Sequence, residues 1–445
     1  MKRGENMENS LLTGTMKINQ ENHLEIGGVD TVKLVEKYGT PVYVYDVFQI
    51  KKQARAFKQA FSAQNITAQV AYASKAFACL AMYQLIAQEG LSVDVVSGGE
   101  LYTAIQADYP PEKIHFHGNN KTESELIEAL NYKIGCFVVD NFSELHLLHK
   151  LTTERKQEVN ILLRVTPGVE AHTHEYISTG QEDSKFGFDL LNGQAKSAVD
   201  LALTMPYMKL IGLHSHIGSQ IFETEGFIMA IDKLLASVKE WQKATAFDLE
   251  VLNLGGGFGI RYIESDKPLA ISEYVDRIIA EVIAKTTEYG ITMPEIWIEP
   301  GRSIVGDAGI TLYQTGSEKE VPNVRNYLAV DGGMSDNIRP ALYDAEYTGI
   351  LANRGNDPVT ETYSIAGKCC ESGDMLIWDL PLPKAERNDI LAVFSTGAYG
   401  YSMANNYNRI PRPPVVFVEN GTDYLVVERE SYADLMRLDR SLPKG

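Results

Sequence analysis

Lys75 has the surroundings in this sequence that point most directly to chemistry. It lies in the segment AYASKAF (71–77), directly after an apolar run with the composition of a strand, and no charged residue occurs within six positions on either side. Apolar neighbours favour the uncharged amine, which is a nucleophile toward carbonyl compounds. The simpler alternative is a lysine whose stem packs along apolar surface while its amine stays in water. The other unusual residues of the chain distinguish these interpretations.

Three further groups have residue types that suit a phosphorylated ring. The segment NLGGGFG contains Gly255, Gly256 and Gly257; such a triplet can be a simple turn, but its bare amides can also cradle a phosphate. His216, in GLHSHIGSQ, has a flat imidazole that can stack on a ring, and Glu299, in IEPGR, can keep a pyridine nitrogen protonated. With a lysine that forms a Schiff base, these groups predict pyridoxal phosphate as the cofactor.

A metal site is the competing interpretation of the histidines. Residues i and i+2 of a strand face the same side, so an H-x-H pair can chelate zinc or iron. Six of the nine histidines occur in such pairs, namely His115/His117, His172/His174 and His214/His216. However, no cysteine or acidic ligand follows at a fixed short spacing, and a metal gives no role to Lys75 or the glycine triplet. Packing or hydrogen bonding is the commoner reason for each pair, and we expect no metal.

Eight apolar, strand-like runs separated by helical stretches organise the first two thirds of the chain. Such an alternation predicts a (β/α)8 barrel, with an open doubly wound sheet as the alternative. The runs are 67–73, 91–97, 113–118, 136–140, 159–165, 208–218, 249–257 and 295–301.

The unusual residues all follow strands of this predicted barrel. Lys75 follows the first strand, His216 closes the sixth, the glycine triplet follows the seventh, and Glu299 and Arg302 follow the eighth. In such barrels the active site lies at the carboxyl ends of the strands, often with a phosphate bound after strands seven and eight. We therefore expect these residues on one rim. Asp94 and Arg164, also near strand ends, are candidates for supporting partners.

The remainder of the chain has a different pattern of predicted secondary structure. After about residue 306, short β-rich runs end in glycine, asparagine or proline without regular helices between them, and HLEIGG and PVYVYD near the N-terminus are similar. This pattern predicts an antiparallel β domain built by both ends of the chain. The predicted domains are a cofactor-binding barrel at 46–305 and a β-rich domain at 1–45 and 306–445.

Composition excludes several classes of protein. With 445 residues, 44% of them hydrophobic, the chain is a globular protein of two or three domains. A net charge of −18 argues against a nucleic-acid or anionic-membrane partner. No signal peptide and no apolar run of spanning length is found, and four cysteines are too few for a disulfide scaffold. We expect a cytoplasmic protein with reduced thiols.

Taken together, the motifs resemble those of the diaminopimelate decarboxylases, which belong to the alanine-racemase-like, fold-type III group of pyridoxal-phosphate enzymes. The similarity runs from about residue 20 to 435 with no departure at a motif position. The motifs are AYASKAF, DVVSGGEL, HSHIGSQ, NLGGGFG, IEPGR, DNIRPALY, CCESGD and GAYGYSMANNYN.

The resemblance implies a role for each residue at these motifs. Lys75 would form the Schiff base with the cofactor, His216 would stack on its ring and Glu299 would pair with the pyridinium nitrogen. Cys370 would donate a proton to the carbanion after carbon dioxide leaves. The phosphate would be bound by Ser219, Gly255, Gly256, Gly257, Pro300, Gly301, Arg302 and Tyr399.

The resemblance also implies the substrate and the assembly. The substrate would be meso-2,6-diaminopimelate, decarboxylated to L-lysine in the last step of lysine biosynthesis. Its distal carboxylate would be bound by Arg302, Arg339 and Tyr343, and its distal ammonium by Glu371, with Tyr399 also at the substrate. Cys370 and Glu371 would reach the partner's site, so the functional unit would be a head-to-tail homodimer.

The residue types support this substrate assignment independently of the resemblance, but each of them also has a plainer interpretation. Arg339 and Tyr343 would share one face of a helical turn, and arginines can bind a carboxylate through two charge-assisted hydrogen bonds. Salt bridges for the arginines, packing for Tyr343 and an inert Cys369–Cys370 pair are the plainer interpretations.

Rival functions share the same cofactor site. A decarboxylase of ornithine, arginine or carboxynorspermidine would leave Arg302 and Arg339 without a second carboxylate to bind. A racemase would need a second base opposite Lys75. A non-enzymatic carrier of pyridoxal phosphate would not need residues 306–445.

Overall fold

The computed structural model describes residues 11–169 and 184–443, so His172 and His174 lie outside the described part of the chain. The chain divides into two compact units. One comprises the N-terminal part up to Lys51, the segment Arg261–Asp266 and the chain from Ile304 onward; the other comprises Lys52–Ile260 and Lys267–Ser303. The short segment Arg261–Asp266, which falls within the predicted barrel sequence, thus belongs to the first unit.

The N-terminal elements begin the first unit. Asp30 starts the first helix by accepting a hydrogen bond from the amide of Val32, and Gly39 ends it in a left-handed conformation with φ of 68°. The elements are β1 (Lys17–Ile18), β2 (Leu24–Ile26), β3 (Val29–Asp30), α1 (Thr31–Tyr38) and β4 (Val42–Asp46), followed by α2 (Val47–Ser62), which continues into the second unit.

The second unit is a closed parallel barrel, which confirms the predicted fold. Eight strands pair in chain order, and the last, β13, pairs with the first, β5. A further two-residue strand, β10, lies beside the end of β9. The strands are β5 (Ala68–Ala73), β6 (Ser92–Val95), β7 (Ile114–Phe116), β8 (Cys136–Val139), β9 (Val159–Thr166), β10 (Phe188–Asp189), β11 (Met208–His214), β12 (Val251–Asn253) and β13 (Glu295–Ile298).

Short loops with strong capping residues join these strands to the barrel helices. Ser97 and Asn141 each accept a hydrogen bond from the third amide of the helix that follows, and Thr122 forms a reciprocal capping box with Glu125. The helices are α3 (Leu80–Gln88), α4 (Gly98–Gln106), α5 (Glu123–Tyr132), α6 (Phe142–Arg155), α7 (Gln194–Leu203), α8 (Glu225–Ala244) and α9 (Ile271–Tyr289).

The barrel interior has an apolar layer in its middle and a polar layer at the carboxyl ends of the strands. A buried cluster fills it with Cys136, Val138, Leu162, Ile211, Val251 and Trp297. Because side chains alternate along a strand, the residue two positions further faces the same interior. Asn253 follows Val251 and Glu299 follows Trp297 in this way, and both are buried. The carboxyl ends of the strands therefore carry a polar layer on top of the apolar one.

The remainder of the first unit is rich in β structure. Its main sheet has the order β18-β17-β15-β14-β4-β20-β21, with β19 joining β14 to β16. The elements are α10 (Arg302–Val305), which begins in the second unit, and then β14 (Gly309–Val321), β15 (Arg325–Val330), α11 (Arg339–Tyr343), β16 (Gly349–Leu351), β17 (Glu361–Ala366), β18 (Met375–Leu382), β19 (Ile390–Val393), β20 (Val415–Glu419), β21 (Thr422–Val427) and α12 (Tyr432–Met436).

The pairing in this sheet is mainly antiparallel, with parallel pairs at β15/β17 and β4/β20. Strand β4 lies between β14 and β20, which confirms that both ends of the chain build the β-rich unit. Strands β16 and β18 were not expected. The first has three residues, and the second contains Pro381, which is tolerated because β18 is an edge strand.

No helix in residues 11–169 and 184–443 combines the length and hydropathy needed to cross a membrane. All four cysteines are free: Cys79, Cys136 and Cys369 are buried, and Cys370 is exposed.

Candidate active site at the carboxyl ends of the barrel strands

Lys75 lies in a single 3-10 turn, Ser74–Ala76, at the end of β5. The hydroxyl of Ser74 donates to the carbonyl of Asp94 at 2.6 Å, which fixes this turn against the neighbouring strand. Ala76 and its neighbours are buried, whereas Lys75 itself is exposed. The expectation of an amine surrounded by apolar side chains is therefore wrong: the apolar neighbours are buried, whereas Lys75 is exposed and its charge acts on Asp94 and His216 at the strand ends.

The glycine triplet forms a loop that no other residue type could build. Gly255 and Gly257 have left-handed φ values of 68° and 106°. A Cβ on Gly256 would lie 2.1 Å from the carbonyl oxygen of Glu299. The loop thus lies directly against the end of β13.

Two amides of this loop donate hydrogen bonds to side chains of the barrel. The amide of Gly255 donates to Oδ1 of Asn253 at 2.9 Å, and that of Gly256 donates to Nδ1 of His216 at 3.2 Å. Among residues 11–169 and 184–443, the Gly257 amide has no hydrogen-bond partner. We expected all three glycines to offer bare amides to a phosphate. In the structure only the amide of Gly257 remains available for this.

His216 follows β11 and is half-buried. Because Nδ1 accepts the hydrogen bond from Gly256, a neutral ring carries its proton on Nε2. Burial lowers the pKa of His216 well below its ordinary value, and the charges of Lys75 and Arg164 lower it further. The structure thus provides an uncharged, oriented imidazole, as stacking on a ring requires.

Glu299 is the centre of the polar layer. It is buried, and Nε2 of His214 lies 3.0 Å from its Oε2. Its other oxygen, Oε1, accepts a hydrogen bond from Nδ2 of Asn253 at 2.6 Å and lies 3.2 Å from Nε2 of His117. Three strands besides its own therefore contribute to the surroundings of one carboxylate.

These neighbours determine which group carries charge. Burial alone would raise the pKa of Glu299, but His117 and His214 outweigh it and hold that pKa well below the usual range. Burial lowers the pKa of His117 to about 4 and also lowers that of His214. At neutral pH the carboxylate is consequently the ionised group, and the imidazoles are neutral hydrogen-bonding partners.

Asp94 and Arg164 differ in their relation to this layer. Oδ1 of Asp94 lies 3.7 Å from Nε2 of His117, and burial, followed by the charge of Glu299, raises the pKa of Asp94 well above its ordinary value. Arg164 instead places its Nε 3.9 Å from Oδ1 of Asp140 and its guanidinium 4.2 Å from the ring of Phe186. Asp94 is thus part of the layer around Glu299, while Arg164 pairs elsewhere.

In the two described H-x-H pairs, 115/117 and 214/216, the two histidines of a pair face different partners. Ligand atoms of His117, His214 and Glu299 lie within 4.8 Å of one another, a donor set that zinc accepts. However, the two histidines come from different pairs, and each lies against the carboxylate: His214 through a hydrogen bond and His117 through a polar contact at 3.2 Å. His115 stacks on Trp297 with ring centroids 4.4 Å apart. Each described histidine of these pairs thus has its own protein partner.

Arg302 and Ser219, both predicted to bind the phosphate, are in contact. Arg302 starts α10, is buried, and donates from Nη2 to Oγ of Ser219 at 2.9 Å. The preceding Gly301 is packed tightly, since a Cβ there would lie 3.0 Å from that of Ala73. The segment from Pro300 to Arg302 thus lies beside the end of β5, which leads to Lys75.

Three of the predicted substrate residues, Arg339, Tyr343 and Tyr399, lie in the β-rich unit. Arg339 begins α11 and is buried, and Tyr343 at the end of that helix is half-buried. Tyr399, with φ of 60°, is close enough to contribute to the electrostatic surroundings of Arg339. Within the described residues, no hydrogen bond or ion pair joins Cys370 or Glu371 to Arg339.

Cys370 and Glu371 lie in an exposed loop of this unit. The amide of Cys370 donates to Oδ1 of Asn408 at 2.7 Å, and the amide of the preceding Cys369 donates to Oδ2 of Asp374 at 2.7 Å. These two bonds fix the backbone of the loop, in which Cys369 is buried and Cys370 and Glu371 are exposed.

Sequence reasoning missed several residues that shape the site. His117 and His214 were noticed only as members of possible metal pairs. Asn253 is the first residue of the NLGGGFG segment, but it was assigned no role. Asp374 is the last residue of CCESGD and was assigned no role. Tyr262 and Tyr347, which contact Arg339, carried no sequence signal.

Comparison with known proteins agrees with this geometry. Residues 47–306 match the pyridoxal-dependent decarboxylase family, in its pyridoxal binding domain. Diaminopimelate decarboxylases of Halalkalibacterium halodurans and Bacillus subtilis are 64% and 62% identical, over 97% and 98% of this chain and 98% and 99% of theirs. The diaminopimelate decarboxylase of M. jannaschii, solved in complex with L-lysine, is 39% identical with a TM-score of 0.90, covering 98% of this chain and 99% of that one. The chain therefore belongs to the diaminopimelate decarboxylase family of pyridoxal-dependent decarboxylases.

Proposed function

We propose that the protein decarboxylates meso-2,6-diaminopimelate to L-lysine and carbon dioxide, the last step of lysine biosynthesis, with pyridoxal phosphate as cofactor. Identity of 62% to 65% with diaminopimelate decarboxylases over nearly the whole chain supports this activity. The observation that carries the substrate class is Arg339. It is a buried cation, and no carboxylate of the described residues lies within ion-pair distance of it. Such a group favours an anionic ligand.

The barrel residues fit the cofactor. When bound, pyridoxal phosphate supplies an electron-withdrawing ring that accepts the electron pair released as carbon dioxide leaves. The ionised Glu299 would keep the ring nitrogen protonated, and the exposed amine of Lys75 would bond to the aldehyde. His216 would lie on the ring. The phosphate would be held by the free amide of Gly257, in the loop that Gly255 and Gly256 shape, and by Ser219, Pro300, Gly301, Arg302 and Tyr399.

The β-rich unit would supply most of the substrate contacts, and Arg302 of the barrel the remaining one. Arg339, Arg302 and Tyr343 would bind the distal carboxylate, Glu371 the distal ammonium, and Tyr399 would contribute beside them. The thiol of Cys370 would hold the proton that is delivered to the α-carbon. Its exposure in the single chain is expected of a residue whose surroundings are completed by a second copy.

We further propose a homodimer with shared active sites in the cytoplasm. The exposed positions of Cys370 and Glu371 support sharing, and four free thiols suit a reducing compartment. The barrel, 46–305, would bind the cofactor, and the β-rich domain, 1–45 and 306–445, would provide substrate and dimer contacts. A net charge of −18 argues against nucleic-acid and membrane partners.

The direct test is incubation of the purified protein with meso-diaminopimelate, ornithine, arginine and carboxynorspermidine while carbon dioxide and amine products are measured. We expect equal amounts of carbon dioxide and lysine from meso-diaminopimelate and little reaction with the others. Borohydride should fix the cofactor on Lys75, as peptide mass spectrometry would reveal, and Lys75→Ala should abolish this attachment. A higher kcat/KM for ornithine would contradict the substrate assignment.

Assembly is tested by mixing two inactive variants, Lys75→Ala and Cys370→Ala. A mixed dimer with shared sites contains one site with both native residues, so partial activity should return. If subunit exchange is demonstrated and no activity returns, Cys370 serves its own chain's site and the shared-site proposal fails.

A further inference from the structure

The surroundings of Arg339 show how a buried cation is kept available to a ligand. The side chain is 8% exposed. Its Nη1 donates a hydrogen bond to the hydroxyl of Tyr347, and its guanidinium carbon lies 5.0 Å from the centre of the Tyr262 ring. Both partners are neutral groups. They stabilise the cation through a hydroxyl oxygen and the face of a ring without cancelling its charge, as a carboxylate would.

The two tyrosines also fix one another. Their ring centroids are 5.3 Å apart at an interplanar angle of 87°, an edge-to-face contact. Tyr262 is 6% exposed and Tyr347 4%. The guanidinium is thus held by two side chains that have little rotational freedom of their own.

Each tyrosine is held in turn by its local backbone. Oδ2 of Asp266 accepts the amides of Tyr262 and Ile263 at 2.9 and 3.2 Å, which closes the segment Arg261–Asp266 into a turn. Tyr347 lies just before β16, where the carbonyl of Thr348 accepts the amide of Phe394 at 2.9 Å. Because the backbone beside each tyrosine is fixed by hydrogen bonds, the two side chains restrain the position of Arg339.

We propose that Tyr262 and Tyr347 are positioning residues that hold the Arg339 guanidinium ready for the distal carboxylate of the substrate, and so determine selectivity for ligands that carry this carboxylate. The inference rests on the proposed function. A guanidinium already in its binding orientation loses less conformational freedom when the carboxylate arrives. The tyrosines therefore act on ligand binding through Arg339 and take no part in proton transfer or in cofactor binding.

The test compares two ligands of the holoenzyme that differ at this carboxylate. L-Lysine retains it, and 1,5-diaminopentane lacks it. Tyr347→Phe removes the hydroxyl and keeps the ring, and Tyr262→Leu removes the ring. We expect each variant to weaken L-lysine inhibition and raise KM for meso-diaminopimelate by about 10- to 100-fold, as for loss of a hydrogen bond to a charged group. Inhibition by 1,5-diaminopentane, kcat and the cofactor absorption should change little.

Arg339→Ala separates the inference from the function on which it rests. If the inference is right, adding Tyr347→Phe or Tyr262→Leu to Arg339→Ala causes no further loss, because nothing remains to be positioned. Tyr109→Phe is the matched control: its buried hydroxyl donates to the carbonyl of Leu91 at 2.7 Å, within the barrel. This variant should not change the ratio of the two inhibition constants.

Two results would overturn the inference. Equal weakening of both inhibitors by the tyrosine variants would indicate a general loss of structure, and unchanged L-lysine inhibition would show that the tyrosines do not position Arg339. If instead Arg339→Ala itself leaves L-lysine binding unchanged, the carboxylate assignment of the proposed function fails first.

Discussion

Nε2 of His214 lies 3.0 Å from Oε2 of Glu299, and both side chains are buried at the carboxyl ends of the barrel strands. His117 approaches the other oxygen of the same carboxylate at 3.2 Å. Two histidines that look like metal ligands in the sequence thus surround one acid with neutral polar contacts. Their neutrality matters, because a protonated histidine at this distance would compete with the pyridine nitrogen for the negative charge.

Glu299→Gln tests the importance of this charge. Glutamine has nearly the same shape and retains an oxygen that accepts from Asn253, so the fold should survive. Without a carboxylate to stabilise a protonated ring, kcat should fall by about 100-fold or more. The measurement is kcat together with the cofactor absorption spectrum. Glu295→Gln, at the start of the same strand, is the control and should remain active; wild-type kcat in Glu299→Gln would rule out the assigned role.

His115→Phe should make stability less sensitive to acid. Burial lowers the pKa of His115 to about 3, so between pH 6.5 and 3 the unfolded chain binds a proton that the folded chain does not. Stability contributed by this neutral histidine is therefore complete above pH 6.5 and is lost as the pH falls. Phenylalanine can keep the stack on Trp297 without titrating. Urea unfolding from pH 7 to 5 should give a slope against pH that is shallower by up to about 1.4 kcal/mol per pH unit.

Asp336→Asn should change the pH dependence in the opposite sense. Burial raises the pKa of Asp336 to about 7, with Asp331 and Asp374 adding to the effect, although the amide of Gly333 donates to this carboxylate. Between pH 4 and 7 the folded chain retains a proton that the unfolded chain has lost, so wild-type stability falls as the pH rises through this window. As the pH rises from 4 to 7, the free energy of unfolding of the variant should increase relative to that of wild type by up to about 1.4 kcal/mol per pH unit. A constant difference from pH 4 to 7 would refute the assignment.

Gly256→Ala should damage the site through its backbone. The new methyl group would lie 2.1 Å from the carbonyl oxygen of Glu299, and backbone atoms on both sides would have to move. We expect a loss of about 1–3 kcal/mol or more in unfolding free energy, with weakened cofactor binding.

Gly99→Ala is the matched substitution for this comparison. Its methyl group would find its nearest neighbour at 3.7 Å, on a helix where alanine is favoured over glycine. Equal stability and cofactor affinity in Gly256→Ala and Gly99→Ala would show that the loop is not closely packed against β13.

The predicted strands were confirmed because each is encoded locally, as a short apolar run bounded by turn residues. The same local reasoning placed Lys75, the glycine triplet and Glu299 at strand ends, which the structure bears out. It did not single out β18, a strand that contains Pro381 and lies at the edge of its sheet, where proline is tolerated. It also failed for the exposure of Lys75, since a composition of apolar neighbours does not say which way a single turn directs its side chain.

The sequence by itself determined the order of elements, the barrel and the residue types available for binding the cofactor, because periodicity and turn chemistry act over a few residues. Only the tertiary structure decided which of these residues meet. His117, His214, Asn253 and Glu299 come from four strands, and they converge because β13 pairs with β5 and closes the barrel around their inward-facing positions. Tyr262 meets Arg339 because the segment Arg261–Asp266 packs with the β-rich unit although its sequence lies among the barrel elements. Such contacts depend on the closure of long loops in the chain, for which no local pattern exists.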